Sequence, residues 1–246
     1  MASLGLLWAV LGLAAGGVLK GAIGAGSPII AVPILALLYD VPTAVALFTL
    51  PNLFSNLWQG WTYRAHQISR RFVWTFAGAG ALGALVGSVL LAYLPGDMLL
   101  AVVAMVVFVY IGVRLTRPNW ILSRASAAKL AGAAGLIGGV MQGAGGISAP
   151  VSVTFLNAMR LERAEFIATI SIFFATMAVV QIPALWTLGI LTPDRAILSL
   201  AAGIPLFGGM PVGAWLARRI AREKFDRIIL WLLALIALRL LYGAIF

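Results

Sequence analysis

Of the 246 residues, 63% are hydrophobic and only 10% are charged, against about 25% charged in an ordinary soluble domain, so a water-soluble enzyme or binding module is excluded. The formal net charge of +10 would suit nucleic acid. However, the basic residues are gathered in three short stretches, 64–71, 114–129 and 218–227, where lysine and arginine set membrane orientation; no nucleic-acid partner is expected. With no cysteine, disulfides and thiolate metal sites are ruled out.

In chain order the apolar segments are 3–20, 28–39, 43–61, 72–93, 98–113, 130–144, 149–159, 163–187, 195–217 and 227–245. Their length and their leucine, alanine and phenylalanine content predict helices, because open sheet edges cannot survive in hydrocarbon. The expected fold is an all-α polytopic membrane protein with roughly eight to ten membrane segments. The first segment lacks a basic flank and is followed at once by others, so it reads as a span and not a signal peptide. Segments 28–39 and 149–159 fall short of the ~20 residues that cross ~30 Å of hydrocarbon. They are predicted to be half-helices or arms of re-entrant pairs.

Loops 62–71, 114–129 and 218–226 read as cytoplasmic. Loops 94–97 and 188–194, each with an acid and no lysine or arginine, read as external. Corresponding segments then run in opposite directions, which predicts two inverted repeats, 1–115 and 130–246, joined by a cytoplasmic linker at 116–129. Both termini fall on the non-cytoplasmic side of an inner membrane. Ala44, Thr49 and Leu50 correspond to Ala164, Thr169 and Ile170, and Gly83 and Gly87 to Gly209 and Gly213.

Each repeat carries a glycine-broken stretch: G-A-G-S-P at Gly24 to Pro28, and G-A-G-G-I-S-A-P at Gly143 to Pro150. Gly24 and Gly26, and in the second copy Gly143, Gly145 and Gly146, allow tight turns and close backbone approach. Ser27 and Ser148 are candidate caps, and Pro28 and Pro150 suit a first helical turn. Freed backbone groups survive in a membrane only inside protein or beside a wet cavity. Two helix starts meeting near the midplane would offer amides and partial positive charge to an anion. The simpler alternative is that these glycines only allow close packing. That alternative is preferred for Gly83, Gly87, Gly208, Gly209 and Gly213.

Lys20, just before the first break, either offsets the charge of an anionic substrate or snorkels to the interface. Asn52, Asn56 and Gln59 share one helix face, with Thr169, Ser171, Thr176 and Gln181 in the related segment. They either bond between helices or line a substrate path. Gln142 abuts the second break. His66, the single histidine, lies in a basic loop, and no acid falls deep in a segment. Hence no catalytic cluster, metal site or cofactor is expected, and the chain does not read as an enzyme. Trp58, Trp61, Trp120, Trp186 and Trp215 fall near span ends, as an aromatic belt would.

The segments G-A-I-G-A-G-S-P-I-I-A-V-P-I-L (21–35), V-P-T-A-V-A-L-F-T-L-P-N-L-F-S-N (41–56), G-L-I-G-G-V-M-Q-G-A-G-G-I-S-A-P (135–150) and R-A-E-F-I-A-T-I-S-I-F-F (163–174) resemble the TauE/SafE family of sulfite exporters. The second copy has Ile147 where Pro28 would align and Ser171 where Pro51 would. The resemblance implies transport of small organic or sulfur-containing anions such as sulfite, sulfoacetate and other sulfonates. It places the site at Gly24 to Pro28, Asn52, Asn56, Gly143 to Ser148 and Thr169.

The expected function is therefore secondary transport of such an anion by alternating access, with a small anionic substrate and the bilayer as partners. Proton and sodium coupling both stay open, and nothing in the sequence sets an oligomeric state. An anion channel and a non-transporting scaffold subunit are the alternatives.

Overall fold

The computed structural model describes residues 2–116, 120–219 and 222–245. Arg117 of the basic linker, and Ile220 and Ala221 of the last basic loop, lie outside the described residues. The described chain forms ten α-helices: α1 (Ala2–Ile23), α2 (Ser27–Leu38), α3 (Val41–Thr62), α4 (Arg70–Tyr93), α5 (Gly96–Thr116), α6 (Arg124–Gly145), α7 (Ala149–Ala158), α8 (Arg163–Thr187), α9 (Pro193–Leu216) and α10 (Arg222–Ile245). One 3-10 turn spans Arg64–His66, and no strand occurs among the described residues. The protein is an all-α, multi-pass membrane protein, and each apolar segment has its helix.

Five helices are long and apolar enough to cross a membrane, within Leu4–Ile23, Arg70–Tyr93, Gly96–Val113, Arg163–Thr187 and Pro193–Leu216. At 22 residues α3 and α6 are as long, but α3 carries Asn52, Asn56 and Gln59, and α6 is rich in glycine and alanine. Those polar groups are buried, so they meet protein and not lipid. The short α2 and α7, of 12 and 10 residues, reach only ~18 and ~15 Å. Trp58, Trp61, Trp120, Trp186 and Trp215 all project outward.

Side chains cap the starts of α3, α6, α8 and α9, though not that of α4. Asp40 Oδ1 accepts from Thr43 N at 2.6 Å, Ser123 Oγ from Ser126 N at 3.1 Å and Thr192 Oγ1 from Arg195 N at 3.4 Å. Glu162 and Glu165 close a capping box at α8. By contrast, no side chain caps α2 or α7, whose first turns are buried.

The two halves of the chain are interlocked: apart from α1 on α2 and α2 on α3, the main helix contacts join α1–α5 to α6–α10. The first helix of each packs on the fourth helix of the other: α1 on α9 and α6 on α4. Glycine makes both approaches possible. A Cβ at Gly17 or Gly21 would strike the carbonyl of Leu206 or Met210, and one at Gly209 or Gly213 the carbonyl of Ala14 or Val18. On the other pair, Gly83 and Gly87 face the carbonyls of Leu136 and Val140, while Gly135 and Gly139 face those of Phe76 and Gly80. Thus Gly83, Gly87, Gly209 and Gly213 serve close packing, as expected. Gly208 does not, since open space surrounds it. Between these pairs α3 crosses α8, with α3 also on α9 and α8 also on α4. The short helices exchange in the same way, α2 touching α10 and α7 touching α5.

Candidate functional site

At the first break the chain leaves α1 at Ile23 and turns through Gly24 (φ 81°) and Gly26 (φ 90°) into α2. Left-handed backbone explains both glycines. A Cβ on Gly24 would also collide with Ile167 of α8, so the turn is pressed against the other half of the chain. Gly26 occupies the cap position, and Ser27 is the first helical residue. The expected capping role of Ser27 is therefore wrong, because a residue already in helical geometry cannot reach forward to its own first-turn amides. Its hydroxyl is instead buried without a partner. Pro28 sits in the first turn as expected.

Beside this break lies a buried polar chain. Lys20, in the last turn of α1, is 1% exposed. Its Nζ donates to Asn56 Oδ1 at 2.8 Å, and Asn56 Nδ2 donates to Asn52 Oδ1 at 2.8 Å and to Asn52 O at 2.7 Å. The one-turn spacing of the asparagines on α3 makes this relay possible. Snorkelling is excluded for Lys20, whose amine ends inside the bundle. No carboxylate reaches it: the ion pair present among the described residues joins Arg124 to Glu165 at 3.5 Å.

The second break is shorter than expected. The helix α6 continues through Gly143 and Gly145, and only Gly146 (φ 70°) turns left-handed. Gly143 serves packing, since a Cβ there would stand 2.7 Å from Gly87 Cα on α4. Gly145 is helical and faces Val103 of α5 at 3.2 Å, while Gly146 faces Val32 of α2 and Val45 of α3. Ser148 does precede α7, with Pro150 in the first turn. Its hydroxyl, however, bonds to Ser152 Oγ at 3.0 Å and caps no amide. The two breaks therefore bear on opposite halves of the chain, the first on α8 and the second on α2 and α3.

Of the expected site residues, hydrogen bonds join Lys20, Asn52 and Asn56. Gln142 and Thr169 are buried, and Gln142 Oε1 and Thr169 Oγ1 have no hydrogen-bond partner, as with Ser27 Oγ. Among the described residues no hydrogen bond links the groups at the first break to those at the second. Gln59 Oε1 accepts from Ser171 Oγ across the α3–α8 crossing at 3.5 Å.

The matching family model is that of the sulfite exporter TauE/SafE, over residues 8–240. The chain belongs to this family. TauE/SafE proteins are membrane exporters of sulfite and sulfur compounds and not enzymes. The matched span takes in both breaks, Lys20 and the asparagine pair. No curated protein and no solved structure matches the chain.

Two residues of this TauE/SafE chain escape a reading by sequence alone. Arg163, at the start of segment 163–187, donates through Nη2 to Ala22 O at 3.2 Å and Gly21 O at 3.4 Å. It ties the last turn of α1 to the start of α8, next to the first break. Ser199 of α9 donates to Leu47 O on α3 at 2.9 Å. The available signal was Pro51, which cannot supply the N–H that Leu47 O expects.

Proposed function

We propose that this chain carries a small organic or sulfur-containing anion, such as sulfite, sulfoacetate or a related sulfonate or carboxylate, across the inner membrane by alternating access. The observation that carries this reading is Lys20, an amine fully enclosed beside a broken helix, with an amide oxygen as its protein partner and no carboxylate. A protonated amine in such a place is costly without a counter-charge. An anion between Lys20 and the uncapped start of α2 would supply one, since a helix start favours negative charge. Ser27, Asn52, Asn56 and Thr169 would then read the oxygens of the anion, with Gln142, Gly146 and Ser148 forming the related half-site. Under this reading Gly24 and Gly26 open the approach, Pro28 fixes the helix start, and Gly143 and Gly145 set how closely α6 sits.

The interlocked packing supports a particular division of moving parts. Rocking residues 1–115 against 130–246 would tear both glycine-packed pairs. The bodies proposed are instead α1, α3 and α9 against α4, α6 and α8, which cross at α3 and α8. The Arg163 bonds to Ala22 and Gly21, and the contact of Gly24 with Ile167, lie between these bodies. Their position suits contacts that exchange as the site changes sides.

The test is flux of labelled sulfite, sulfoacetate, taurine and simple carboxylates in proteoliposomes. Gradient-driven or exchange flux of one of them, without single-channel conductance, is expected. Conductance would make the protein a channel, and silence towards every anion would remove the transport reading.

A further inference from the structure

We propose that a crevice between the starts of α4 and α6 binds the phosphodiester headgroup of an anionic phospholipid. The crevice has a volume of about 460 Å³ and is lined by Arg71, Arg124 and Lys129, together with Ser69 and the buried Phe72 and Met159. That volume is many times the ~10–15 Å³ that admits one water, and so exceeds what a simple ion needs.

Charge, hydrogen bonding and position agree on this occupant. Three cations face one cavity from two helices of opposite repeats. The acid that reaches them is Glu165, 3.5 Å from Arg124. Arg71 and Lys129 have no acidic partner among the described residues. Ser69 precedes α4 but bonds to none of its amides, unlike Ser123 at α6, which leaves the first turn of α4 available to a phosphate oxygen. The crevice opens where the apolar span Arg70–Tyr93 begins, and Trp74, 60% exposed, marks the headgroup level one turn further in. A headgroup placed here would leave its acyl chains beside the exposed Leu130 and Ile137 of α6. Basic pockets between membrane helices hold phosphorylated headgroups in this way. Because α4 and α6 come from different repeats, a bound headgroup would pin the pair together at this end.

The experiment uses the full chain in nanodiscs containing equal phosphatidylglycerol and phosphatidylcholine, with retained lipid read by native mass spectrometry. Phosphatidylglycerol should be retained in preference. R71Q/K129Q should lower that retention by about tenfold or more, while R64Q/R218Q, with the same loss of charge outside the crevice, should not. A128F, at a residue that also lines the crevice, fills it without altering charge; it should act like R71Q/K129Q and keeps the test open if the charge variant folds poorly. Equal retention of both lipids, or equal losses in R71Q/K129Q and R64Q/R218Q, would overturn the site. Glycerol 3-phosphate that stabilises the protein in pure phosphatidylcholine as well as phosphatidylglycerol does would overturn the lipid as its source. None of these readouts depends on transport.

Discussion

Ser199 Oγ donates to the carbonyl of Leu47 at 2.9 Å, the acceptor that Pro51 leaves without its intrahelical N–H. A proline in one half of the chain is thus completed by a hydroxyl from the other. Ser199 is fully buried, away from bulk water. Ser199→Ala should destabilise the protein by about 1–3 kcal/mol, the cost of an unsatisfied buried carbonyl. In a Pro51→Ala background Leu47 O regains a local donor, and the same change should cost clearly less. Thermal unfolding of the four proteins in detergent measures the cycle, and equal losses in both backgrounds would refute the link.

Lys20 offers a way to separate charge from hydrogen bonding. Lys20→Gln retains an N–H for Asn56 Oδ1 but removes the positive charge. Folding should be largely kept, and anion flux should fall by about tenfold or more, as when one member of a buried charged pair is lost. Normal flux in folded Lys20→Gln protein would remove Lys20 from the anion site.

The glycines divide by what surrounds them. Gly83→Ala drives a methyl into the backbone of α6 and should sharply reduce the yield of folded protein. Gly145→Ala meets a single side-chain atom, Val103 Cγ2, at 3.2 Å and gains ~1 kcal/mol of helix propensity, so folded protein should be retained. Size-exclusion profiles after extraction report both. A well-folded Gly83→Ala variant would contradict the close α4–α6 approach.

Because the chain has no cysteine, single introduced cysteines report sidedness without background. At Asp97 and Asp194 a membrane-impermeant maleimide should label intact cells. At His66 labelling should require permeabilisation. The reverse pattern would invert the proposed topology, and labelling at all three sites in intact cells would defeat it.

Much of the architecture was legible in the chain because a bilayer punishes exposed backbone so severely. Run lengths gave the helices, the shortness of 28–39 and 149–159 gave the half-helices, and the small-residue stripe at Gly83 and Gly87 gave a packing face. The first break was readable at Gly24 and Gly26 because only glycine accepts that backbone cheaply. The second was misread at Gly143 and Gly145. A glycine held in a helix by a neighbouring backbone has the same sequence appearance as a glycine that turns.

What the sequence determined by itself is the class of molecule: a helical membrane protein of the TauE/SafE type, broken once in each half, with a lysine beside the first break. Composition, run length and local backbone preference decide these things, and all are properties of neighbouring residues. The tertiary structure alone decided that the two halves of the chain interlock, that Lys20 points inward to Asn56, that Arg163 holds the end of α1, and that Ser199 completes the helix at Pro51. In each case the partner lies far along the chain, and only close helix packing brings the donor to its acceptor.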